Sequence, residues 1–113
     1  GMIFGKAFEN FIFSELTAHA SYSELCYDVH FWRTKLGVEV DFVLGNGEVA
    51  IEAKGTSRVD NKVLRPMHAF IDEFGPRKAI VVCNETTERV VGPIRIVPWK
   101  VFLKSLWAGD VIS

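Results

Sequence analysis

Asp41 and the tripeptide Glu52-Ala53-Lys54 bring two carboxylates and an ammonium to the two sides of one glycine-rich turn, Gly45-Asn46-Gly47. Two carboxylates with a neighbouring peptide carbonyl, that of Ala53, make an all-oxygen donor set suited to a hard divalent cation such as Mg2+ or Mn2+. Such an ion lowers the pKa of a bound water and stabilises charge that builds on a phosphoryl oxygen. Lys54 projects from the same face two residues beyond Glu52, where an ammonium can position the attacking water or offset negative charge in the transition state. Together these roles amount to a minimal phosphodiester hydrolase. The same residues fit an exposed hairpin whose charges simply face water, and Glu-x-Lys alone does not separate the two.

The elements that must hold these groups can be read from hydrophobic periodicity. The arms Val38–Leu44 and Glu48–Lys54 alternate with period two, and Asn-Gly between alternating arms signals a hairpin. With Asn46 and Gly47 as a two-residue turn, Gly45 pairs with Glu48, Leu44 with Val49, Phe42 with Ile51 and Val40 with Ala53. One face is then apolar, and the other sets Asp41 opposite Glu52 and Glu39 opposite Lys54. Like charges directly opposed are destabilising, which suggests a bound cation or a function. A register slip of one residue would scatter the cluster.

Residues 3–19 carry Phe4, Ala7, Phe8, Phe11, Ile12 and Leu16 at helical spacing, with Glu9 and Phe13 on the flank of the stripe. If that helix covers the polar face of the hairpin, Glu9 becomes a third acid at the site. Residues 27–34 read as a strand that Lys35-Leu36-Gly37 turns into the hairpin, giving a three-strand meander. A second helix spans Val63–Phe74 on a stripe of Val63, Met67, Phe70, Ile71 and Phe74, with Pro66 acceptable only near its start, and Gly75-Pro76 stops it. Lys78–Cys83 is a continuously apolar strand of the kind covered on both faces. Asn84–Glu88 is a polar loop, Ile94–Val97 a further strand, and Trp99–Trp107 a terminal helix. The expected fold is mixed α/β (α+β): a helix, a three-strand antiparallel meander, a helix, two strands and a helix, with helices on both faces of one mixed sheet.

The chain has 113 residues, 49% hydrophobic, and reads as a single domain over 1–113 with material for one core. Gly1 before Met2 reads as a tag-cleavage scar. Cys26 and Cys83 are no disulfide framework, and Cys83 reads as a buried small hydrophobe in a reducing cytosol. No membrane span and no signal peptide is visible. His19, His30 and His68 lack zinc-ligand spacing. The formal net charge of −1 does not advertise a nucleic-acid binder. Locally, however, Lys54, Arg58, Lys62 and Arg65 face only Asp60, so Arg58, Lys62 and Arg65 are the candidate nucleic-acid contacts beside the acidic pair. Trp99, Phe102 and Trp107 belong either to the core under the last helix or to an exposed dimerisation patch.

Helix-borne Glu9, Asp41 and then Glu52-Ala53-Lys54 at the end of a hairpin resemble the PD-(D/E)XK nuclease superfamily, whose core is a helix, three antiparallel strands, a helix and a strand. More narrowly, Phe8-Glu9-Asn10-Phe11, Phe31-Trp32-Arg33-Thr34, Gly37–Leu44 and Ile51–Lys54 resemble the C-terminal domain that follows the ATPase domain in a group of prokaryotic AAA-type ATPases. The similarity covers nearly the whole chain, including Ile96-Val97-Pro98 and Phe102-Leu103. The resemblance implies metal-binding roles for Asp41 and Glu52, a catalytic Lys54, and an accessory acid in Glu9. Arg33 and Thr34 match the narrower pattern without a chemical step. Val40-Asp41 replaces the usual Pro-Asp, and no G-x-x-x-x-G-K-[ST] phosphate loop is present, so ATP hydrolysis is not expected of this chain. The implied function is metal-dependent DNA cleavage. The alternative is a non-catalytic nuclease-fold module serving nucleic acid or an ATPase partner.

Overall fold

The computed structural model describes the backbone from residue 2 and the side chains from residue 5; Gly1 and the side chain of Phe4 lie outside the described residues. The elements are α1 (Met2–Tyr22), β1 (Val29–Arg33), β2 (Glu39–Leu44), β3 (Val49–Ala53), α2 (Asn61–Phe74), β4 (Lys78–Cys83), β5 (Arg89–Val91), β6 (Ile94–Pro98) and α3 (Trp99–Trp107). The strands form one mixed sheet in the order β1-β2-β3-β4-β6-β5. β1, β2 and β3 are the antiparallel meander, and α2 carries the chain from β3 across to a parallel β4.

Two apolar layers sandwich the sheet. Phe8, Ile12 and Leu16 of α1 and Phe102 and Leu106 of α3 pack with Phe42, Leu44, Ile51 and Val82 on one face. On the other face Leu64, Met67 and Phe70 of α2 pack with Val43, Ala50, Val81 and Ile96. β4 is buried at every position after Lys78, as a strand covered on both sides must be. Phe102 is core, Trp99 meets Phe11 edge-on, and the partly exposed Trp107 lies against His19 and Tyr22. The expectation that Cys83 is buried and free holds.

Several local expectations shift. α2 starts at Asn61, capped by the Asp60 carboxylate, which accepts from the N–H groups of Lys62 and Val63. Pro66 is therefore the sixth helical residue, and with no N–H it leaves the Lys62 carbonyl without its usual helical donor. The buried stripe is Leu64-Met67-Phe70, with Phe74 exposed at its edge. The hairpin loop is the four residues 45–48, closed by Glu48 N–H to the Leu44 carbonyl, instead of a two-residue bend. Gly45 and Gly47 carry the left-handed φ of 66° and 77°. The register inside the loop is nevertheless the expected one, Leu44 with Val49 and Phe42 with Ile51. β5 falls within a stretch that showed no periodic signal.

Candidate active site

The register between β2 and β3 ends at the pair Phe42–Ile51. Beyond it the strands part: β2 stays with β1 as far as Glu39, whereas β3 follows β4 as far as Ala53. In the fork, side chains replace the backbone ladder. Asp41 N–H donates to Glu52 Oε1 (3.1 Å), and Ala53 N–H donates to Asp41 Oδ2 (2.9 Å). Each carboxylate thus satisfies one stranded backbone donor through one oxygen, and its second oxygen takes no backbone amide. A strand residue sends its N–H and C=O to the same side, so the Ala53 carbonyl also faces the fork.

A bulge in β2 aims Asp41. β1 pairs His30 with Val43 but Trp32 with Val40, so Asp41 and Phe42 together stand opposite Phe31. The extra residue breaks strict alternation and puts Val40 with Val43 in the α2 layer. Simple period-two reasoning pairs Val40 with Ala53; Ala53 instead faces the α1 layer. The same bulge undoes the expected opposition of Glu39 and Lys54: Glu39 pairs with Arg33, its side chain 3.8 Å from the guanidinium. Thr34 closes the β1–β2 turn, its backbone and hydroxyl both bonded to Val38.

A cavity of about 320 Å3 opens on this fork, lined by Glu9, Glu39, Asp41, Glu52, Lys54, Lys62, Val63 and Pro66. Glu52 is buried and Asp41 half-buried, while the half-exposed Lys54 holds Nζ 3.8 Å from Glu52 Oε2. α1 does not cover this cluster as a lid. Its apolar stripe rests on the opposite, Phe42/Ile51 face, because that is where the buried aliphatic area lies, and the first turns of α2 wall the acids instead. Glu9 still reaches the cavity from the edge of α1, and its charge acts on Asp41. Among the described residues no three His, Cys, Asp or Glu side chains come together as a metal-holding group, so Glu9 does not close a three-acid set with Asp41 and Glu52. Of the basic trio, Lys62 lines the cavity, whereas Arg58 and Arg65 are exposed elsewhere, Arg58 near Glu85.

Electrostatics mark the pair as under-neutralised. Burial, then the facing Asp41 charge, push Glu52 up to about 8; burial likewise raises Asp41, with Glu9 adding to it. Both shifts run the same way: the buried site disfavours carrying two negative charges at once. The donor set is of the kind a hard divalent ion takes: two carboxylate oxygens not held by backbone amides and the Ala53 carbonyl, on a cavity.

Glu52→Gln is accordingly expected to stabilise the metal-free protein at neutral pH by on the order of 1–3 kcal/mol. The amide oxygen retains the Asp41 N–H bond. The sign follows from linkage: a folded-state pKa above the unfolded value of about 4.3 means that the folded form binds the proton more tightly. Wild-type stability therefore declines as pH rises from about 4 toward about 8, and the Gln variant loses that slope. Urea unfolding at pH 5 and pH 8 checks it, and parallel curves for the two proteins would refute it.

Sequence reasoning missed one structural group. Glu85 is buried and accepts from Val59 N–H (2.8 Å), Arg89 Nε (2.8 Å) and Arg89 Nη2 (2.9 Å), while Arg89 Nη2 also donates to the Val59 carbonyl. The bonds to the Arg89 guanidinium pull Glu85 down to about 2. This lock pins the chain between Lys54 and α2. A loop glutamate and an arginine four residues later leave no signal that separates them from a solvated pair.

A family model described as Domain of unknown function (DUF4143) matches residues 4–102, and the chain belongs to that family. No curated protein and no solved structure matches the chain.

Proposed function

We propose that this member of the DUF4143 family is a divalent-metal-dependent phosphodiester hydrolase acting on DNA, with its centre in the fork between β2 and β3. The observation that carries the reading is the mutually repelling pair of half-buried Asp41 and buried Glu52, each with one oxygen not taken by a backbone amide, beside Lys54 in an open cavity. Asp41, Glu52 and the Ala53 carbonyl would hold Mg2+ or Mn2+, which supplies Lewis acidity toward a phosphoryl oxygen and acidifies a water. Lys54 orients that water and offsets the charge of the transition state. Lys62, at the α2 wall, meets a phosphate next to the scissile one. The order α1, three-strand meander, α2, β4 is that of the PD-(D/E)XK nucleases, which supports the assignment. The narrower resemblance makes an AAA-type ATPase domain the partner to test.

Mn2+ at a hundredfold excess over its Kd is expected to stabilise the protein by about 2.7 kcal/mol, a rise in melting temperature on the order of 10 °C. Asp41→Ala removes that response. Equal responses of wild type and variant would mean that the fork is not a metal site.

The two-acid rather than three-acid centre and the net charge of −1 favour one second reading, a non-catalytic module of nucleic-acid or ATPase-partner binding. Salt-sensitive DNA binding with no cleavage in Mn2+ would select it.

A further inference from the structure

A second cavity, of about 440 Å3, lies between α1 and the β1–β2 edge and shares Glu9, Glu39 and Asp41 with the first. It exists because α1 packs its Phe8-Ile12-Leu16 stripe over the middle of the sheet and turns a different face, Lys6, Asn10 and Phe13, toward β1. Phe31 stands across from these residues, directly opposite the bulge that aims Asp41, and is 74% exposed. Phe13 is 46% exposed and stacked on Phe42, ring centroids 5.8 Å apart and planes 19° from parallel. The groove therefore has aromatic rings on both walls, with Lys6, Asn10 and His30 among them as hydrogen-bonding groups.

We infer that this groove seats an unpaired nucleotide, a base stacking on Phe31 and its phosphate meeting Lys6, so that the strand runs on to Asp41 and the substrate is single-stranded or frayed at the point of cleavage. The chemistry is specific in kind: every base offers a π-face to an aromatic ring, and donors between rings suit phosphate and base edges. A base inside a duplex has both faces covered by its neighbours and cannot stack on Phe31. The inference rests on the phosphodiesterase reading for the direction of the strand, because the groove ends at the proposed cleavage centre.

Fluorescence anisotropy with a labelled deoxyoligonucleotide, alone and as a blunt duplex, tests it in Ca2+ on wild type, Phe31→Ala and Phe31→Trp. The single strand is expected to bind at least about tenfold tighter than the duplex. Phe31→Ala should weaken that binding by about 5- to 150-fold, the equivalent of about 1–3 kcal/mol of stacking, and Phe31→Trp should preserve it. Equal affinity for strand and duplex, indifference to Phe31→Ala, or no binding of either would overturn the inference. Cleavage by the same preparations in Mg2+ is scored separately. Strand binding that depends on Phe31 without cleavage overturns the hydrolase reading alone, whereas blunt-duplex cleavage indifferent to Phe31 overturns the groove assignment alone.

Discussion

Lys54→Ala is expected to slow metal-dependent phosphodiester cleavage by about 100- to 1,000-fold, the usual cost of deleting one preorganised transition-state donor. The Lys54 side chain is half exposed and approaches Glu52 at 3.8 Å, while its backbone N–H bond to the Val82 carbonyl survives truncation, so its removal leaves the core untouched. The melting temperature and its response to Mn2+ should both survive. Single-turnover cleavage by wild type and variant, with thermal unfolding in parallel, gives the answer. An unchanged rate would remove Lys54 from the chemistry. A collapse of the metal response would recast the lysine as a structural partner of Glu52.

Glu85→Ala should cost about 3–5 kcal/mol of folding stability, the range for stripping one partner from a buried ion pair. The loss leaves the Val59 N–H and the Arg89 guanidinium short of an acceptor. Because the folded-state pKa of Glu85 is depressed to about 2, its contribution is complete above the unfolded value of about 4.3 and disappears as pH falls through about 2. Chemical denaturation at pH 7 and pH 3 measures both effects: the gap between wild type and variant must narrow at the lower pH. A variant within 1 kcal/mol of wild type, as for an ordinary surface pair, would show that the lock is dispensable.

The acid pair was legible because a hairpin loop transmits register along its arms. Leu44–Val49 and Phe42–Ile51 follow from the apolar alternation whether the loop holds two residues or four. Helical periodicity likewise located all three helices, and the continuous apolar run Lys78–Cys83 located the central strand. What alternation cannot express is an inserted residue. The bulge at Asp41–Phe42 is a property of the β1–β2 pairing, and nothing local in Val-Asp-Phe-Val announces it. The helix covering the acids was misassigned for a related reason. Glu9 on α1 suggested a lid on the polar side, but packing is decided by aliphatic area, and Phe42, Ile51 and Ala53 claimed α1. The Glu85–Arg89 lock joins segments 26 residues apart, from Val59 to Glu85, through a side chain and a backbone amide, a contact with no periodic signature.

The parting of β2 from β3 constrains which substitutions the fork tolerates. Asp41 and Glu52 are tied into the architecture by the amide hydrogens of Ala53 and Asp41, so an aliphatic replacement would strand a donor. Asparagine and glutamine keep the acceptor and discard the charge. Replacements tolerated at these positions should therefore be amides, so the hydrogen bonds of the fork limit its alphabet.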